Sequence, residues 1–101
     1  MVQRSSYRIP IRLGITYAKN GKAYNGTIKN MSDSGLFVLA EQTDHPEDSI
    51  VLELPVKKRT LKMSGRLIRI NRSGNNSGFG IRLIDPPQDY IDYIEELLLT
   101  L

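Results

Sequence analysis

Residues 9–30 carry the pattern that decides the fold: Ile9-Pro10-Ile11-Arg12-Leu13-Gly14-Ile15-Thr16-Tyr17-Ala18-Lys19-Asn20-Gly21-Lys22-Ala23-Tyr24-Asn25-Gly26-Thr27-Ile28-Lys29-Asn30. Ile9, Ile11, Leu13 and Ile15 recur at every second position. Side chains alternate across an extended strand, so this spacing gives one apolar face. Asn20-Gly21 then interrupts the run with a residue pair that tight hairpin turns prefer, because both central positions of such a turn need positive φ. A second strand follows from Ala23 to Asn30.

Toward the C-terminus short apolar runs and turn chemistry keep alternating. Met31-Ser32-Asp33-Ser34-Gly35 is a polar turn, residues 36–40 form a short apolar strand, and the acidic stretch around His45 is a loop. Ile50, Leu52 and Leu54 share one face and the strand is expected to stop at Pro55. Residues 60–71 make a longer strand, with Gly65 inside it marking a bulge or tight bend. Residues 73–78 are a loop and 79–84 the last strand. The period then changes. Ile91, Ile94, Leu98 and Leu101 recur at three- and four-residue steps, with Tyr90 and Leu97 alongside and Asp89, Asp92, Glu95 and Glu96 opposite. This spacing predicts an amphipathic helix over 86–101. Asp85 is the expected N-cap, Pro86 the first helical residue and Gln88 the capping-box partner. Six strands and then one helix predict a mostly β fold: a six-stranded antiparallel barrel closed or plugged by a C-terminal helix. A single domain over residues 1–101 is expected, with residues 1–8 as a flexible leader.

The 101 residues suit one modest core, and 40% hydrophobic with 25% charged residues is a globular balance. Without cysteine the chain has neither disulfides nor thiolate metal sites. His45, the lone histidine, lies in the run Thr43-Asp44-His45-Pro46-Glu47-Asp48 and reads as a surface residue, so no catalytic histidine is expected. No nucleophile–base pair, metal cluster or phosphate-cradling glycine loop is identifiable, and the chain is not read as an enzyme. Neither a signal peptide nor a run long enough to span a bilayer is apparent, which gives a cytoplasmic location without membrane insertion as the expectation. The formal net charge of +3 is unevenly spread. Residues 1–30 hold Arg4, Arg8, Arg12, Lys19, Lys22 and Lys29 and no acid, whereas everything beyond Arg82 holds acids alone. A basic first third points to an anionic ligand or to a solvated strand face.

Two short constellations carry chemistry. Arg4-Ser5-Ser6-Tyr7-Arg8 places two guanidinium forks four residues apart, able to grip phosphate, meet a guanine edge or stack on a flat ring. Asn30-Met31-Ser32-Asp33-Ser34-Gly35 offers an amide for a base edge, a hydroxyl and turn N–H groups for phosphate, and a glycine for close backbone approach. Taken singly, the first is an ordinary surface pair and the second an ordinary polar turn. Lys57-Lys58-Arg59 reads as a solvated turn between strands.

Taken together and in this order, Arg-x-x-x-Arg, a strand pair, and Asn-x-Ser-x-x-Gly resemble the PilZ domain family over nearly the whole chain. Gly78-Phe79-Gly80-Ile81 before the helix is similar to that family's last strand. The resemblance implies a regulatory module that binds the bacterial second messenger cyclic di-GMP as a ligand, with no cofactor, and that influences motility, adhesion or polysaccharide output. By the same resemblance Arg4 and Arg8 hold phosphate and guanine edges, Asn30 meets guanine, Ser32 meets phosphate or ribose, and Gly35 admits the turn. Arg69 stands near a guanine-stacking position. Asn30 departs from the family's commoner aspartate. Two alternatives remain beside it. One is a PilZ-like protein interaction module without nucleotide binding, with the downstream partner unknown. The other is a small nucleic-acid-binding barrel, for which Tyr17 and Tyr24 are the only loose aromatic candidates. Leu99, apolar on the otherwise acidic helix side, marks a face for a homodimer.

Overall fold

The alternation around Ile9 becomes strand β1 (Ile9–Lys19) and its hairpin partner β2 (Lys22–Met31), in a computed structural model that describes residues 8–19, 21–40, 49–72, 74 and 77–100. Lys19 pairs with Lys22 and Gly21 has φ +75°, so the hairpin turns between these two strands where expected; Asn20 lies outside the described residues. The chain continues through β3 (Gly35–Leu39), β4 (Ser49–Val56), β5 (Arg59–Asn71), β6 (Gly78–Ile84) and helix α1 (Gln88–Leu99). Around the barrel the order is β1-β2-β3-β6-β5-β4, every pair antiparallel, and Thr16, Tyr17 and Ala18 of β1 meet Glu53, Leu52 and Val51 of β4 to close it. Closure removes the unpaired edges that a six-stranded open sheet would present. Inward-facing Ile28, Met31, Leu36, Val38, Leu52, Leu54, Phe79 and Ile81 fill the interior, and Tyr90 and Ile94 of α1 join the same cluster.

Three local expectations change. Asp85 is not an N-cap: its φ of +47° is left-handed, and α1 begins at Gln88 with Pro87 in the capping position and no side-chain cap bond. Each proline disfavours helical backbone in the residue before it, so Pro86-Pro87 keeps both Asp85 and Pro86 out of the helix. Gln88 donates Nε2 to Asp92 Oδ1 at 2.9 Å instead of closing a capping box. Strand β4 runs through Pro55, which pairs with Thr60; β1 reaches only as far as Glu53, leaving Pro55 on an edge where the missing N–H costs no ladder bond. In β5 the register shift lies between Leu67 and Arg69, while Gly65 keeps regular pairs with Ile50 and Leu83.

The basic turn is solvated, as expected, and it also reaches α1. Lys57, at φ +58°, sends Nζ to Glu96 at 3.0 Å, and Arg59 pairs with Asp89, so this turn grips the acidic side of α1. Tyr17 and Tyr24 are also spoken for. They stack at 5.3 Å, and Phe79 meets Tyr17 edge-on at 5.2 Å, so they build the core and not a surface platform for bases. The loop around His45 and the leader before Arg8 lie outside the described residues.

Candidate functional site

The two constellations meet where β1 begins and β2 ends. Asn30 stands opposite Pro10 of β1 and Phe37 of β3. Register shifts flank it on both sides, between Pro10 and Leu13 and between Ile28 and Asn30. Such irregularities re-aim side chains, and they tolerate a proline that has no N–H to donate. Arg8, exposed just ahead of β1, donates from Nη1 to Asn30 Oδ1 at 2.9 Å across 22 residues of sequence. Arg4 lies outside the described residues.

The turn after Asn30 is built by its own side chains. Ser32 is buried, with its Oγ donating to the Gly35 carbonyl and accepting from Ser34 N–H, both at 3.3 Å. The Ser32 backbone N–H also donates to that carbonyl at 2.8 Å. Gly35 packs against β6, where an added Cβ would stand 2.5 Å from the Ile81 carbonyl oxygen. In this state Ser32 and Gly35 shape the turn, while Arg8 and Asn30 face the open side. Tyr90 fastens α1 to the same turn, its hydroxyl donating to the Ser32 carbonyl at 2.5 Å. Burial pushes the Tyr90 phenol well above its ordinary 10.0; Asp33 adds to the shift and the Arg8 charge opposes it. The C-terminal helix is therefore fastened to the turn that follows Asn30.

Beside Asn30 opens a groove of about 430 Å³ lined by Lys29, Asn30, Phe37, Arg69, Ile70 and Asn71. Arg69 is exposed, and its guanidinium carbon lies 5.8 Å from the centre of the Phe37 ring. Lys29 and Arg69 supply cations, the Asn30 amide supplies directional contacts and carries Arg8 at the groove's edge, and no acid lines the groove. This combination suits an anion bearing a planar ring system. A smaller cleft of about 160 Å³, between the 57–59 turn and α1, is lined by Asp89, Asp92 and Glu96 as well as Lys57 and Arg59. Its cations are already paired, so it offers no comparable attraction. Among the described residues no cluster of histidines or acids could hold a metal, and no helix is long and apolar enough to cross a membrane.

Arg8, Asn30 and Arg69 were all marked in the sequence, and the structure brings them together. Phe37 and Tyr90 were not marked. A signal for Phe37 existed: between inward-facing Leu36 and Val38, alternation must turn it outward, where an aromatic ring needs a cover. Tyr90 looked like any apolar helix residue, since its partner is a carbonyl 58 positions away.

The fold is similar to that of the Borreliella burgdorferi PlzA protein, solved in complex with c-di-GMP, at TM-score 0.73 and 18% identity, covering 94% of this chain and 40% of that one. It is also similar to the PilZ domain of CeSA from a cellulose-synthesizing bacterium, at TM-score 0.66 and 22% identity over 94% of this chain and 98% of that one. The Bacillus subtilis inhibitor of motility, MotI/DgrA, gives TM-score 0.72 at 15% identity, over 98% of this chain and 52% of that one. The chain thus spans about two fifths of PlzA and half of MotI/DgrA. No curated protein matches the sequence. The PilZ domain model matches residues 2–100, nearly the whole chain: the chain belongs to the PilZ domain family.

Proposed function

We propose that this chain is a cyclic di-GMP-binding regulatory module, a cytoplasmic receptor without catalytic activity of its own. The observation that carries it is the 2.9 Å bond from Arg8 to Asn30, which joins the two motifs beside a cationic groove. Arg4 and Arg8 take phosphate and guanine edges, Asn30 reads a guanine, and Ser32 and Gly35 hold the turn that presents it. Arg69 contributes a flat cation. Membership of the family and the PlzA complex with c-di-GMP support the ligand. Leu99, 86% exposed at the end of α1, marks the face offered to a downstream protein or a second copy.

The test is replacement of Arg4 and Arg8 by alanine, singly and together, with ligand binding followed by equilibrium dialysis and folding by circular dichroism. Loss of cyclic di-GMP with an unchanged melting curve is expected, because Arg8 is exposed outside the barrel core. Undiminished binding by the double variant overturns the assignment.

A further inference from the structure

Phe37 is buried, but not in the core. Leu36 and Val38 on either side are fully covered and belong to the barrel's interior cluster, while Phe37, only 7% exposed, does not belong to it. Its ring therefore lies on the outer surface and is covered from outside. Arg69 supplies part of that cover, with its guanidinium 5.8 Å from the ring centre. The two residues come from different strands, β3 and β5, and β6 runs between them. At that level β6 carries Gly80, which pairs with Phe37 on one side and Arg69 on the other. A Cβ on Gly80 would stand 3.3 Å from Arg69 Cγ and 3.5 Å from Nε. The bare backbone gives the arginine stem room to lie across β6 toward the ring, where a Cβ would press on it. The shift in β5 between Leu67 and Arg69 turns the side chain into this position.

We infer that Phe37 and Gly80 are positioning residues, which hold the Arg69 guanidinium flat so that its free face forms a platform for one purine of the ligand. The inference rests on the cyclic di-GMP reading given above. A guanidinium plane stacks on aromatic faces on both of its sides, so a ring beneath it leaves the upper face for a base. An arginine already held in place also has less rotamer freedom to lose when the ligand arrives. Asn30 lines the same groove, so one base can be read at its edge and met on its face from a single opening. Shielding of an outward phenylalanine would by itself explain the contact, but it predicts no effect on a ligand.

Three variants separate these cases: Phe37→Leu, which keeps an apolar cover but removes the ring, Phe37→Tyr, which keeps the ring, and Arg69→Lys, which keeps the charge but not the plane. Each is titrated with cyclic di-GMP and with an analogue carrying 2-aminopurine in place of one guanine, whose fluorescence is quenched by stacking. Phe37→Leu and Arg69→Lys are each expected to weaken binding by roughly tenfold and to relieve the quenching, while Phe37→Tyr retains both. Wild-type affinity and quenching in folded Phe37→Leu and Arg69→Lys, with Arg8→Ala still unable to bind, overturns the platform and leaves the Arg8–Asn30 site standing. If the wild-type chain takes up neither nucleotide, the cyclic di-GMP reading itself fails, and the platform with it.

Discussion

At Asn30 one amide oxygen already accepts from Arg8, and the amide's NH2 remains a donor where guanine offers donors of its own. An aspartate here would turn the contact with Arg8 into an ion pair and would accept from two guanine N–H groups through charge-assisted bonds. Asn30→Asp is therefore expected to tighten cyclic di-GMP binding by about threefold to tenfold, as charge-assisted bonds are roughly twice as strong as neutral ones; a competition titration measures it. Tyr90 is the other residue on which the site depends. Tyr90→Phe leaves the buried Ser32 carbonyl without this donor and is expected to cost about 1–2 kcal/mol in thermal or urea unfolding. Its pH behaviour has a definite sign. The folded chain holds the Tyr90 proton above the ordinary value of 10.0, and burial with the neighbouring Tyr24 charge raises Tyr17 as well. Both phenols stay protonated more firmly when folded than when unfolded, so stability is intact below pH 10 and falls as the pH rises past it. Urea midpoints measured between pH 8 and 11 are expected to drop at the alkaline end, and less steeply in Tyr90→Phe.

The β2–β3 turn and helix α1 depend on different forces. Gly35 lies so close to β6 that Gly35→Ala must push the Ile81 backbone aside, an overpacking expected to cost roughly 1–3 kcal/mol whether or not ligand is present. Any weakened binding by that variant should follow its lost stability, which denaturation with and without cyclic di-GMP can separate. Helix α1 is held by burial more than by charge. Ile94 and Tyr90 enter the core, while the side chains of the Lys57–Glu96 and Arg59–Asp89 pairs are between 46% and 67% exposed. Ile94→Ala should cost about 2–4 kcal/mol, and Lys57→Ala with Arg59→Ala no more than about 1 kcal/mol together, in the same unfolding assay. What the sequence discloses of these elements divides by range. Alternation and the Asn20-Gly21 signal disclose the β1–β2 hairpin, because strand period and turn conformation are local. The start of α1 was misplaced at Asp85, because two prolines in a row outweigh a good capping residue. That Lys57-Lys58-Arg59 would grip α1 could not be read, since its acidic partners lie some 30 to 39 positions on and only barrel closure brings them near.

Across the whole molecule, closure of the barrel is what turns two weak motifs into one site. Arg8 and Asn30 are 22 residues apart and Arg69 a further 39, yet Arg8 bonds to Asn30, β2 and β5 bring Asn30 and Arg69 to one groove, and α1 touches the same turn through Tyr90. The order of the motifs was legible in the chain, and so was the barrel-then-helix plan. The cover of Phe37 and the fastening of Tyr90 were not, because both depend on strand neighbours that are distant in sequence. The central claim is that this surface binds cyclic di-GMP, and isothermal titration of the wild-type chain tests it most directly. A saturable heat at micromolar ligand is predicted, lost in the Arg4→Ala, Arg8→Ala double variant; no heat from a folded wild-type chain would contradict it.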